Sequence, residues 1–378
     1  MIPFIRGRRP RYFTLYTNNT SGKHPQRVRG RGQGVSFPML LVILCFALPA
    51  SAQNTRLIPH EIFIEHGASP ALHFINLLSG AQTGATVTGD NFLVTPEGVL
   101  FVDENGEIQQ INEQGDVKPH AFISIPLETR RLDWTVAPDG NLIAWTITVG
   151  TPQSLITETW VANLDGTEMR MAFRDGPHDG IRAYPITFSD DGEILYMDYQ
   201  PDTIADITPF QQYAALFSLN LITGETASLP GEAGCYCGGD IRDGQFVRMM
   251  LGSGGFDIRA YDLENSSLHV LNGLERPDFT LGGDLIIAPG GMRAVYALSR
   301  PAVENPETIF MLADIASGTV QQLGGATTAP LRPIGWTDDG EAVLLRSRDQ
   351  DGTWRLDVKT GAITQVASAT YLGAMFAG

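Results

Sequence analysis

A chain of 378 residues with 18% charged side chains, 41 Gly and 23 Pro exceeds one simple domain and suits a single large all-β fold with many turns. Its 42 acidic residues against 26 Lys and Arg give a formal charge of −16. That balance argues against nucleic acid or an anionic membrane surface as a partner, because association with either begins at cationic patches.

Residues 1–52 differ from the rest. They hold Arg6, Arg8, Arg9, Arg11, Lys23, Arg27, Arg29 and Arg31 and no Asp or Glu. The basic stretch runs into the apolar segment Met39 to Leu48 and then into Pro49-Ala50-Ser51-Ala52, a small-residue cleavage site before Gln53. Charged, apolar and small segments in that order predict a secretory signal peptide. The apolar run is too short for a retained anchor, which needs about 20 residues to span a bilayer. Met39 is an alternative start, although it would discard the favourable charges. Removing the eight leader cations leaves 18 Lys and Arg against 42 acids, a mature formal charge of −24. The expected domains are therefore a leader over 1–52 and one folded domain over 53–378, located in the periplasm or at the cell surface.

Along the mature chain, one turn ending in Gly recurs before an apolar strand. Its copies are Thr95-Pro-Glu-Gly98, Ala137-Pro-Asp-Gly140, Ser189-Asp-Asp-Gly192, Ile241-Arg-Asp-Gly244, Ala288-Pro-Gly-Gly291 and Thr337-Asp-Asp-Gly340. Gly supplies positive φ and Pro or Asp initiates the turn, as a hairpin requires. From Gly to Gly the steps are 42, 52, 52, 47 and 49 residues. A second turn lies between these copies and usually ends at Gly80, Gly115, Gly166, Gly224, Gly318 or Gly361, with Tyr261-Asp-Leu-Glu-Asn265 as its Gly-free copy. Each unit thus holds two hairpins, or four strands, at the period of a β-propeller blade.

The first turn occurs six times and the second seven, so one blade is divided between the termini. The piece beginning near Glu61-Ile-Phe-Ile-Glu65 lacks an inner strand, and Thr370-Tyr-Leu-Gly-Ala-Met-Phe376 can supply it. Pairing the termini removes two open sheet edges. The predicted fold is an all-β propeller of four-stranded antiparallel blades, seven in preference to six, closed by N- and C-terminal strands.

Ala137-Pro-Asp-Gly-Asn-Leu-Ile-Ala-Trp145 and Thr337-Asp-Asp-Gly-Glu-Ala-Val-Leu-Leu-Arg-Ser-Arg-Asp349, continued by Trp354-Arg-Leu-Asp-Val-Lys-Thr-Gly361, resemble the WD-like blade repeat of TolB-type propellers. The resemblance covers most of residues 90–368 and departs at Gly244 and in the N-terminal half blade. Such repeats occur in periplasmic adaptors and beside the hydrolase domain of prolyl oligopeptidases, so the resemblance implies a blade and no activity. The peptidase version is disfavoured, because no G-x-S-x-G elbow appears and no catalytic domain follows Gly378.

Other chemical signals are weak. Ser347-Arg-Asp-Gln-Asp-Gly-Thr-Trp354 partly resembles a sialidase Asp box but reads better as a hairpin turn. Asp349 and Asp351 fall short of a complete calcium loop, and the six mature His are scattered, so neither a metal nor a cofactor is expected. Cys235 and Cys237 are the only mature cysteines; an internal disulfide needs a local kink, which Gly234, Gly238 and Gly239 permit, and free thiols or an intermolecular bridge are the alternatives.

Two functions fit: a monomeric, non-catalytic scaffold that binds a protein or extracellular ligand, and a hydrolase or lyase working at the central channel. Binding is favoured, on the face bearing the connections between second and third strands and between blades. The longer connections are expected over Val149 to Thr159, Tyr199 to Tyr213, Ser299 to Thr308, Arg174 to Tyr184, Gly231 to Asp240 and Gly273 to Gly283. On that face Arg130, Arg131, His178, Arg182, Tyr184 and Tyr199 supply donors and aromatic surface typical of interface hot spots. Intact mass of the protein recovered from its native host is expected to correspond to a chain beginning at Gln53; a soluble cytoplasmic product retaining residues 1–52 would refute the leader.

Overall fold

The structure is a computed structural model that describes residues 60–67, 69–203, 212–230, 238–252, 255–271, 273, 275–300 and 307–375. Every regular element among them is a β-strand. The first blade receives β1 (His60–Glu65), β2 (Ala71–Asn76) and β3 (Gln82–Thr86). The second comprises β4 (Gly89–Thr95), β5 (Gly98–Asp103), β6 (Ile108–Ile111) and β7 (Val117–Pro119). The third is β8 (Thr129–Val136), β9 (Leu142–Thr151), β10 (Ser154–Asn163) and β11 (Arg170–His178). The fourth is β12 (Ile181–Phe188), β13 (Ile194–Pro201), β14 (Ala215–Asn220) and β15 (Thr226–Ser228). The fifth is β16 (Gly238–Arg242), β17 (Gln245–Leu251), β18 (Phe256–Asp262) and β19 (Ser267–Leu271). The sixth is β20 (Leu281–Ile287), β21 (Arg293–Arg300), β22 (Glu307–Asp314) and β23 (Thr319–Thr327). The seventh is β24 (Leu331–Trp336), β25 (Ala342–Ser347), β26 (Thr353–Asp357) and β27 (Ile363–Ala367), after which β28 (Thr370–Met375) returns to blade 1.

These strands make seven four-stranded antiparallel sheets in a ring, and the first sheet runs β28-β1-β2-β3. The C-terminal strand is thus the innermost strand of the N-terminal blade, with Ile62 opposite Gly373 and His60 opposite Met375. The seven-bladed count and the terminal closure follow the sequence reading.

First strands of most neighbouring blades contact one another around the axis. There six of the seven innermost pairs carry a register shift. The pair β16 with β17 is regular. A bulge adds twist and re-aims the side chains beside it; Asp284 and Asn91 sit at two of these bulges with φ of 49° and 54°. Asn91 donates across to the Leu132 carbonyl of blade 3 at 2.8 Å.

Alternating apolar residues of facing sheets form clusters between consecutive blades. Ile62, Phe74, Val99 and Phe101 join blades 1 and 2, and Leu100, Ile143 and Trp145 join 2 and 3. Further clusters hold each successive pair through to blades 6 and 7, where Val295, Phe310, Val343 and Leu356 meet. The return from blade 7 to blade 1 carries several polar bonds: His66 donates its backbone N–H to Asp351 at 2.7 Å, and its Nδ1 lies 2.6 Å from the other carboxylate oxygen. The Thr353 hydroxyl donates to the Ala369 carbonyl at 2.8 Å and accepts from the Tyr371 N–H at 2.8 Å.

The expected connections at Val149 to Thr159 and Arg174 to Tyr184 are largely strand. β9 and β10 pair continuously from Leu142 with Asn163 to Thr151 with Ser154. Threonines stabilise this extension: the Thr146 and Thr159 hydroxyls lie 2.6 Å apart, fully buried, and Leu155 is buried at its far end. Gly150 permits the close pairing, since a Cβ there would stand 2.2 Å from the Ser154 carbonyl oxygen at a φ of +101°.

In blade 4 the connection expected over Tyr199 to Tyr213 begins only after Pro201, and residues 204–211 lie outside the described residues. Within β13, the fully buried Asp198 carboxylate accepts the Ala215 N–H at 2.7 Å and the Ala214 N–H at 3.1 Å. Burial pushes this carboxyl up to about 7, against those backbone donors and the Tyr184 hydroxyl 3.4 Å away.

Two outcomes are expected. Truncation after Ala369 removes all five pairings of β1 with β28 and exposes an edge, so the cooperative melt and the monomeric elution peak should be lost. A truncated chain that melts like the intact one would show closure to be dispensable. Between about pH 4 and 7 folded Asp198 keeps a proton that the unfolded chain has released, so its contribution to stability falls as pH rises through that window. The unfolding free energy of Asp198→Asn relative to the parent should therefore climb from pH 4 to pH 7, by an amount on the order of a few kcal/mol at most; a pH-independent difference would contradict the assignment.

Candidate functional site

The bulge that shifts β8 between Thr129 and Arg131 places two adjacent arginines toward one partner. Asp202, just beyond β13, receives Arg130 Nε at 2.7 Å on one carboxylate oxygen and Arg131 Nε at 2.7 Å on the other. Arg131 Nη2 also donates to the Asp202 backbone carbonyl at 2.7 Å. Arg182 of β12 completes the group, donating through Nη1 to Asp133, with its Nε 3.7 Å from Asp202. Its guanidinium carbon lies 4.8 Å from the centre of the Tyr184 ring. Burial would raise the Asp202 carboxyl, but the bonds from Arg131 and Arg130 outweigh it and hold the group below its ordinary range.

Four sequence-selected residues, Arg130, Arg131, Arg182 and Tyr184, therefore meet between blades 3 and 4. They stand on strands at the loop-bearing face, because the strands extend further than expected. Arg182 and Tyr184 are buried. Arg130 and Arg131 keep 34% and 37% of their side-chain surface exposed while Asp202 keeps 3%, so the outer edges of the two guanidinium groups are what this cluster offers a partner. Three arginines against Asp133 and Asp202 leave it cationic within an acidic protein.

His178 and Tyr199 form a separate group. His178 closes β11, its Nε2 2.7 Å from Asp175, and meets the Tyr199 ring edge-on at 6.4 Å. Tyr199 stacks on Phe217 at 4.8 Å. Burial, with the Asp175 carboxylate beside it, raises the Tyr199 hydroxyl well above its ordinary value. The pair braces blades 3 and 4 and does not join the arginine cluster through any bond described.

A cavity of about 360 Å³ lies against the inner strands β16, β20, β24 and β28, lined by Asp240, Asp284, Arg332 and Arg346 among others. It shares Arg332 and Arg346 with a second cavity of about 560 Å³, bounded by His66 and the β25–β26 connection. Asp240 accepts the Ile287 N–H at 2.7 Å and the Ile241 N–H at 2.9 Å, and its enclosed position pushes it up to about 6. Arg332 Nη2 donates to Asp284 at 2.5 Å. Sequence reasoning missed these four residues, and also missed Asp133, Asp198 and Asp202, because their partners stand in other strands or blades. Ser347 to Trp354 forms the end of β25, a connection and the start of β26, where Asp351 binds His66. Among the described residues no group of three or more His, Cys, Asp or Glu is placed to hold a metal ion. Cys235 and Cys237 lie outside the described residues.

No protein-family model and no curated protein matches the chain. Solved structures do. A structure from a study of two prolyl endopeptidases superposes with a TM-score of 0.57 at 11% identity, over 84% of this chain and 51% of its own. Prolyl oligopeptidase B from Galerina marginata, solved with a 35mer substrate, gives 0.50 at 10% identity over the same shares, 84% and 51%. Hydrazine synthase of Kuenenia stuttgartiensis gives 0.49 at 12% identity, over 71% and 76%. The chain spans about half the length of the two peptidase structures. At these identities the likeness is one of fold, and the chain is a seven-bladed β-propeller.

Proposed function

We propose that this protein is an exported propeller of TolB-type blades that binds a protein or extracellular ligand through the face carrying the connections between blades. One observation supports the reading above others: Arg130, Arg131, Arg182 and Tyr184 are fixed by Asp202 and Asp133 into one patch at the end of β13. Arginine and tyrosine dominate interface hot spots, and side chains ordered beforehand lose less entropy on binding. The turns on the opposite face, such as those at Asp191 and Asp339, are short, and their carboxylates are occupied by Ser189 and Thr337.

The catalytic alternative would rest on Asp240, a channel carboxyl poised near neutral pH. Both of its oxygens already accept backbone N–H groups, which makes it a staple between blades 5 and 6.

A photo-crosslinking side chain placed at Arg130 or Arg131 in the native host is expected to give a discrete covalent adduct, whereas the same group at Asp191 or Asp339 gives none. Adducts from Asp191 or Asp339 alone would assign function to the short-turn face. Arg182→Ala combined with Tyr184→Ala is expected to lower the melting temperature, since both side chains are buried and bonded.

A further inference from the structure

The hairpin β24–β25 turns at Thr337 to Gly340, and counting outward from Trp336 opposite Val343 in a regular ladder sets Arg332 against Ser347. The register shift between Pro333 and Gly335 changes this. Ile334 is left unpaired, and Arg332 stands directly opposite Arg346. Residues so paired project to the same side of a sheet, and like charges there are destabilising. Both arginines face the channel cavity and its mouth. Arg346 keeps an exposed edge; desolvation by the surrounding protein and next the charge of Arg332 lower its pKa, against the opposing pull of Asp284.

The surrounding carboxylates are committed. Asp284 receives Arg332 Nη2, Asp240 receives two backbone N–H groups, and Asp351 holds His66 and the Thr370 hydroxyl. At the mouth Arg348 and Asp349 lie on the exposed connection. Arg332 Nε is buried with no acceptor among the described residues, while Arg346 stands opposite it as an exposed guanidinium at the cavity wall. A buried donor left unpaired costs about 1–3 kcal/mol, and an anion placed between the two guanidinium groups would satisfy Arg332 Nε while lying against the charge of Arg346.

We propose that Arg332 and Arg346 form a binding site for a small organic anion, a carboxylate or phosphate monoester on a compact apolar body. The cavity of about 360 Å³ falls at the lower end of small-molecule sites. Leu285, Ile286 and Ile334 in its lining suit the apolar body. Planar guanidinium groups match either anion with paired, charge-assisted bonds. The site lies on blades 6, 7 and 1, away from the cluster of blades 3 and 4, and does not depend on the function proposed above.

Calorimetric titration of the folded protein with phenyl phosphate, benzoate and neutral benzamide tests it. One or both anions are expected to bind with unit stoichiometry, and benzamide is not. Binding of only one identifies the anionic group that the site takes. Arg346→Gln should weaken the bound anion by about ten-fold or more while leaving the melting temperature unchanged or higher, because the like-charge pair is relieved. Arg348→Gln, on the exposed connection, should leave affinity within about two-fold, as a surface charge does. The proposal is overturned if neither anion binds, if benzamide binds as well as the anions, or if Arg346→Gln binds like the parent.

Discussion

Pairing of β1 with β28 is the constraint on which the ring depends. Each blade buries its apolar faces only against its two neighbours, so an open array would leave the outer faces of blades 1 and 7 in water. Three strands of blade 1 come from the start of the folded domain and the fourth from its end. The polar bonds of His66 with Asp351 and of Thr353 with Ala369 and Tyr371 secure the same junction. Phe63 and Tyr371, with ring centres 5.5 Å apart, add an edge-to-face contact across the closing pair.

Bulges near the axis carry the geometry from fold to chemistry. Six innermost pairs are shifted, and the shifts decide which polar side chains meet. The shift in β8 aims Arg131 and Arg130 at one carboxylate, and the shift in β24 sets Arg332 against Arg346. Both arrangements concentrate positive charge within an acidic chain. They differ in their satisfaction: Asp202 and Asp133 bond all three arginines of the first, whereas in the second Asp284 bonds Arg332 and acts on Arg346 through its charge.

The architecture was legible because turn chemistry is local. Gly140, Gly192, Gly244, Gly291 and Gly340 all take positive φ at the repeated turn, and unequal counts of two turn types disclosed the divided blade. Strand length was less legible. Val149 to Thr159 mixes Gly, Pro and Thr and reads as a connection, yet pairing with the other strand of the same hairpin extends it. Most of the candidate site could not be read, since Arg130 and Asp202 are 72 residues apart and their meeting depends on adjacent blades. The arginine pair of β24 and β25 lay within one recognised hairpin and still escaped, because a single bulged residue changes which side chains face each other.

Closing the ring with the last strand also makes chain synthesis order a folding problem. Growing from its N-terminus, the chain presents β1, β2 and β3 first, but β1 has no inner neighbour until residues 370–375 have emerged. Six further blades must form or wait in the interval, and the contact that completes the first blade joins positions as far apart as Ile62 and Gly373. Such a long-range closure is slow compared with local hairpins. The unfinished edge of β1 is therefore the surface through which nascent chains of this protein would associate with one another.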